Sequence, residues 1–260
     1  MKLINIQRVL EEWSPLSSAE DFDNVGLILG NPDDIIEKAI ITLDTTEKII
    51  DEAIDSDCNL IITFHPLMFK GYESLKSEEY VRKCIIKALK NNINIYAIHT
   101  NLDNNPKGVS YHISKKIGLR NIEVLIKKEN KGNLGMGIIG ELIDEKTEKE
   151  FLKYLMSKME LSNLRHSNFT GEKIKKIAVL GGSGSFGIEE VLNKEIDCYV
   201  TADLKYHDFF KSNNKILLID IGHYESEKYT KELILSYLNK KIPKFACTIA
   251  KTKTNPVNYF

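Results

Sequence analysis

The stretch NLIITF (59–64), followed at once by His65 and Pro66, decides how this chain folds. A short apolar run without polar alternation reads as a strand covered on both faces, which is the habit of parallel sheets. Pro66 ends the strand and stiffens the turn after it. Working outward, helical TEKIIDEAI (46–54) precedes the run, and SEEYVRKCIIKALKNN (77–92) leads to a second strand of the same kind, INIYAI (93–98). Strands VGLIL (25–29) and AIITLD (39–44) stand before them, and an opening helix, INIQRVLEEW (4–13), stops at Ser14-Pro15. This alternation of strand and helix predicts an α/β fold with mostly parallel sheets.

After helix GVSYHISKKIGL (108–119) the rhythm changes, because the Gly-rich KGNLGMGIIGEL (131–142) reads as an antiparallel strand. The α/β theme then resumes with helix EKEFLKYLMSKM (148–159), strand KIAVLGG (176–182), helix GIEEVL (187–192), strand DCYVTA (197–202), short helix LKYHDFF (204–210) and strand KILLIDIG (215–222). A last helix, HYESEKYTKELILSYL (223–238), and a closing strand, KFACTIA (244–250), return to the first lobe. The expected organisation is two similar α/β lobes, residues 1–119 plus 223–260 and residues 120–222.

Composition narrows the function classes. Thirty-six basic and 37 acidic side chains give a net charge of −1, which argues against salt-driven nucleic-acid or acidic-membrane binding. No signal peptide is read at the N-terminus and no run approaches 18 apolar residues, so a soluble, cytoplasmic protein is expected. Cys58, Cys84, Cys198 and Cys247 form no CxxC pair and read as free thiols.

His65, at the carboxyl end of a parallel strand, stands where open α/β sheets place their ligand sites. Asp103 follows INIYAI through the loop HTNLD (99–103), and His223 follows KILLIDIG directly. Glu227 lies four residues beyond His223, so the two share one helix face. Imidazoles and carboxylates gathered at strand ends are the donors of one or two divalent ions per subunit, and zinc, iron, manganese or nickel would suit them. His99, four residues before Asp103, reads as an acid/base candidate or a partner of the ligands, and His207 as a second acid/base candidate, with Asp203 and Lys205 beside it. Asp44 and Thr45 occupy another strand end and are expected to border the pocket. The loop GGSGSFG (181–187) lacks the ending of a P-loop and reads as a tight strand-to-helix turn.

Six motifs in order, DNVGL (23–27), FHPLMF (64–69), HTNLD, TADLKYHD (201–208), GHYESE (222–227) and TNPVNYF (254–260), make the chain resemble the Ngg-interacting-factor-three-like family over nearly its whole length. Members of that family go by the name GTP cyclohydrolase 1 type 2 homologues. The resemblance implies a two-metal site in the cleft between the two lobes, with His65 and Asp103 on the first ion, His223 on the second and Glu227 bridging. It also implies assembly into dimers and a toroidal homohexamer, and opening of a nucleotide's purine ring by metal-activated water, with His99 or His207 as proton donor. The family pattern carries two adjacent histidines before the proline, and here the first of them is Phe64, which has no lone pair to give. One firm ion and a weaker second are therefore expected. The alternative reading is a metal-binding scaffold or regulatory interaction protein without catalytic activity.

Overall fold

The computed structural model describes residues 1–71, 74, 79–129 and 131–260. In chain order these form α1 (Leu3–Trp13), β1 (Gly26–Leu29), β2 (Lys38–Thr42), α2 (Glu47–Asp55), β3 (Leu60–Thr63), α3 (Tyr80–Lys90), β4 (Asn94–Ala97), α4 (Thr100–Asp103) and α5 (Val109–Ile117). There follow β5 (Arg120–Lys127), β6 (Gly135–Thr147), α6 (Glu148–Met159), β7 (Arg165–His166), β8 (Lys173–Ser183), α7 (Ile188–Leu192), β9 (Cys198–Ala202), β10 (Leu217–Asp220), α8 (His223–Glu227), α9 (Thr230–Lys241) and β11 (Ala246–Ile249). The expected start of the third long helix at Ser77 and Glu78 lies outside the described residues. No helix among the described residues is long and apolar enough to cross a membrane.

The chain divides into two compact units, residues 1–102 with 230–260, and residues 103–229. In the first, the sheet order is β1-β4-β3-β2-β11, and every pairing is parallel except β1 with β4. Ile40, Ile61 and Ile95 from its three central strands pack under Ile49, Ile50 and Ala53 of α2 and Val81, Cys84 and Ala88 of α3. Burial on both faces explains why these strands read as unbroken apolar runs. Thr46 caps α2, its hydroxyl accepting from the Ile49 amide, and so fixes where the chain leaves β2 and turns into helix.

The second unit holds the sheet β5-β6-β8-β9-β10-β7. Its centre, β8-β9-β10, is parallel, while β6, β5 and β7 add antiparallel flanks. The fold is therefore mixed α/β with two sheets, and the Gly-rich stretch is the antiparallel strand it resembled. Thr147 and Glu150 close a capping box at the start of α6.

The unit boundaries differ from the expected 119/120 and 222/223. Helix α5 packs on β6 and β8 of the second sheet, and α8 packs on β8 and β9. What reads as one helix from residue 223 to 238 is two, α8 and α9, and the chain changes unit between them. Helix α9 then packs on β2 and β11, the latter pairing in parallel with β2.

Candidate metal centre

Each unit places an imidazole beside an aspartate by the same device. In the first, β2 and β3 run parallel with Thr42 opposite Thr63, and Asp44 and His65 each follow two residues later. Adjacent strands lie about 4.8 Å apart, so side chains leaving neighbouring ends at the same level meet. The His65 Nδ1–H donates to Asp44 Oδ1 at 2.8 Å, and Asp44 Oδ2 accepts from the Thr254 hydroxyl at 2.6 Å. A carboxylate can only accept, so a proton sits on Nδ1 and Nε2 is the nitrogen of His65 that could act as a metal ligand.

The next parallel strand repeats the step. Thr63 stands opposite Ala97, and His99 follows Ala97 by two residues. The His65 and His99 rings lie 5.2 Å apart, edge to face. His99 is oriented by Asp23, whose carboxylate side chain is fully buried and accepts from His99 Nδ1 at 2.9 Å and from the Thr100 amide at 3.0 Å. Burial opposes the Asp23 charge, but the bonds from His99 and Thr100 outweigh it and hold its pKa down at about 2. Phe64 is buried, with its ring 5.3 Å from that of His99 and 5.1 Å from that of His65.

In the second unit β9 and β10 run parallel, with Thr201 opposite Asp220. Asp203 follows the first by two residues and His223 the second by three. His223 Nδ1 meets Asp203 Oδ2 at 2.7 Å, and its Nε2 meets Glu227 Oε2 at 3.1 Å across one turn of α8. Asp203 takes a left-handed backbone conformation, φ 57°, a cost that an aspartate bears more readily than most side chains. Burial disfavours charge on His223, yet the hydrogen bonds and fields of Asp203 and Glu227 prevail and push its pKa up to about 11. The same His223 ring holds the Asp203 carboxyl below its ordinary range.

Glu227 is 3% exposed, and a glycine makes room for it. A Cβ built on Gly182 would stand 2.3 Å from Glu227 Oε1, and Gly182 has φ +70°. The Gly182 amide donates to Ser226 Oγ at 2.9 Å, Ser226 Oγ donates to the His223 carbonyl at 2.7 Å, and the Gly181 amide donates to Ser110 Oγ at 3.2 Å. The GGSGSFG loop therefore spends these two amides inside the protein, one of them on the helix that carries His223 and Glu227.

Asp103 ends α4, half-buried. His207 lies exposed on a 3₁₀ turn (Tyr206–Ser212), with its ring against those of Tyr206 and Phe210. Sequence reasoning named Asp44 as a pocket border and Asp203 as a neighbour of His207, but missed both as partners of His65 and His223. Asp23 entered only through a motif, and Gly182 only as part of a turn.

These features define a mixed α/β protein whose strand ends carry imidazole–carboxylate pairs with a metal-ligand character. The family model described as Duf34/NIF3 (NGG1p interacting factor 3) matches residues 1–256, and the chain belongs to that family. Among its relatives, a protein of Clostridium acetobutylicum named GTP cyclohydrolase 1 type 2 homolog is 35% identical over 232 residues, covering 87% of this chain and 85% of that one. A Campylobacter jejuni protein of the same name is 33% identical over the full length of both. Among solved structures, a hypothetical protein of Staphylococcus aureus superposes with a TM-score of 0.90 at 30% identity, covering 100% of this chain and 99% of that one. A Bacillus cereus protein related to NIF3 superposes with a TM-score of 0.92 at 24% identity, with the same coverage.

Proposed function

We propose that this chain binds divalent metal through His65, Asp103, His223 and Glu227 and works as a metal-dependent hydrolase of a nucleotide or a related heterocycle. The observation that carries the reading is His223, whose ring is held by Asp203 on one nitrogen and faces the Glu227 carboxylate with the other. Without metal, two carboxylates keep that imidazole protonated, with its pKa up at about 11. A cation can take the proton's place, because a neutral imidazole with a buried carboxylate is a ligand pair, and binding then releases a proton. The donor chemistry fits. His65, His223 and Glu227 form a candidate ligand set, both histidines have an aspartate on Nδ1, and Gly182 leaves space for the Glu227 carboxylate.

When bound, a divalent ion supplies Lewis acidity that activates water and polarises an electrophilic carbon. His65 and Asp103 with Glu227 hold the firm ion in this reading. His223 with Glu227 holds a weaker one, since Phe64 takes the place of a further donor. Asp44 and Asp203 fix the tautomers of the two histidines. His99, held by Asp23, presents its Nε2 for proton transfer, and His207 is the second candidate for that role. The names of the relatives support a nucleotide substrate, and the family resemblance supports a dimer assembling into a toroidal hexamer, which light scattering on purified protein would measure.

The test is turnover by metal-reconstituted protein incubated with GTP and a panel of other nucleotides, alongside His65→Ala. Hydrolysis that disappears in the variant supports the reading. No turnover across the panel, in protein shown by elemental analysis to carry metal, overturns the hydrolase and leaves the scaffold.

A further inference from the structure

The second unit contains a cavity of about 660 Å³ between the short strand β7 and the 3₁₀ turn at Tyr206–Ser212. That volume is in the range of small-molecule sites. One wall is aromatic. Tyr206 and Phe210 are 73% and 65% exposed, with rings 5.5 Å apart, and Phe209 lies behind them against the core. The sequence thus places two large rings in water and packs neither away, the usual mark of a recognition surface.

The polar groups say what kind of ring would stack there. Arg165, a cationic side chain on the wall, donates through Nη2 to the Leu204 carbonyl at 2.9 Å and to the buried Asp220 carboxylate. Asp220 in turn accepts from the Leu204 amide at 2.9 Å and the Gly222 amide at 3.0 Å. Arg165 Nη2 therefore serves as a structural tie, while the guanidinium stands 5.5 Å from the Phe209 ring and the side chain stays 59% exposed. The remaining polar lining is His166, Ser167, Ser212 and three asparagines. Asn168, Asn213 and Asn214 are exposed carboxamides, each offering two donors and an acceptor. Asn213 and Asn214 both sit in the left-handed region, φ 50° and 54°, so two consecutive residues hold a costly conformation at the rim.

We propose that this cavity binds a planar nitrogen heterocycle of purine type, with the ring stacked on Tyr206, the edge-to-face Phe210 closing against it, and its polar edge read by the carboxamides of Asn168, Asn213 and Asn214. Stacking against an exposed aromatic supplies most of the binding, and amide-to-heterocycle hydrogen bonds supply the preference. The inference does not depend on the metal. It concerns a recognition site within the second unit and holds for chelator-stripped protein.

The experiment titrates inosine into EDTA-treated protein and follows saturation-transfer NMR or calorimetry, with wild type, Tyr206→Leu, Tyr206→Phe and Phe210→Leu in parallel. Inosine is expected to bind saturably, with each leucine variant weaker by roughly tenfold and Tyr206→Phe within about twofold of wild type. Both side chains are more than half exposed, so the variants should keep their melting temperatures, and circular dichroism checks that they do. No saturable binding up to ~10 mM overturns the proposal, as does binding that both leucine variants leave unchanged. Indole binding as tightly as inosine would refute the role of the carboxamides. Because every arm is metal-free, failure here leaves the metal reading standing, and absence of turnover leaves this site standing.

Discussion

Replacing Gly182 by alanine should damage the second unit through one carboxylate. The new Cβ would stand 2.3 Å from Glu227 Oε1, 3.4 Å from Glu227 Cδ and 3.6 Å from His223 Cε1, so only the oxygen is in serious conflict. Restoring ordinary contact requires Oε1 to retreat by about 1 Å. The carboxylate is 4% exposed and faces His223 Nε2 at 3.1 Å, so a retreat loosens a part-exposed ion pair worth on the order of 1 kcal/mol. Alanine at φ +70° adds ~1–2 kcal/mol of backbone cost. The sum, about 2–3 kcal/mol, should appear as a lower urea midpoint of metal-free protein at neutral pH. Gly171→Ala is the control, since Gly171 has φ +87° and nothing within 4 Å of its built Cβ, and it should cost only the backbone part, ~1–2 kcal/mol. Competition against a chelator should also show a 10- to 100-fold loss of metal affinity in Gly182→Ala alone, the scale of a displaced ligand or ligand support. If the two variants unfold within ~0.5 kcal/mol of each other and bind metal equally, the idea that Gly182 is there for Glu227 is wrong.

Asp44→Asn keeps the shape of the partner but removes the charge that fixes the His65 tautomer, and metal affinity measured by chelator competition should fall 10- to 100-fold with little change in melting. Asp23 governs acid stability. Its pKa is about 2 folded against an ordinary 3.8, a difference worth ~2 kcal/mol, so that contribution is fully present above about pH 4 and is lost as pH falls through 2. Asp23→Asn should therefore remove a stability increment between pH 2 and 4 in urea melts, and an unchanged acid limb would count against the Asp23–His99 pairing as described. Phe64→His should raise the metal content found by elemental analysis from about one ion per chain toward two, and no increase would contradict the account of the weaker site.

Much of the fold was legible because its signals are local. The runs NLIITF and INIYAI carry no polar alternation, and Ile61 and Ile95 are in fact buried in the core between strand and helix. The break between α8 and α9 was not legible, since no proline or glycine marks residues 228 and 229 and the helical pattern runs on. It exists because the two halves pack on different sheets. The unit boundary at α5 was hidden for the same reason. Val109 and Ile113 give that helix an apolar stripe, but a stripe does not say which sheet it will cover.

The site divides along the same line. A donor at a strand's end can be seen in sequence, so His65, His223 and Glu227 stood out. Which ring nitrogen each histidine offers is decided by an aspartate some twenty positions away, Asp44 for His65 and Asp203 for His223, and separation alone gives no reason to join them. Topology supplies the reason. In a parallel sheet the residue just past one strand meets the residue just past its neighbour, so Thr42 opposite Thr63 and Thr201 opposite Asp220 carry the pairings with them. The alternation of strand and helix already predicted parallel neighbours. One further step, aligning the residues that follow successive strands, pairs Asp44 with His65 from the sequence alone. It would not have found Gly182, since that glycine is explained only by the position of the Glu227 carboxylate, and this depends on how α8 lies on β8.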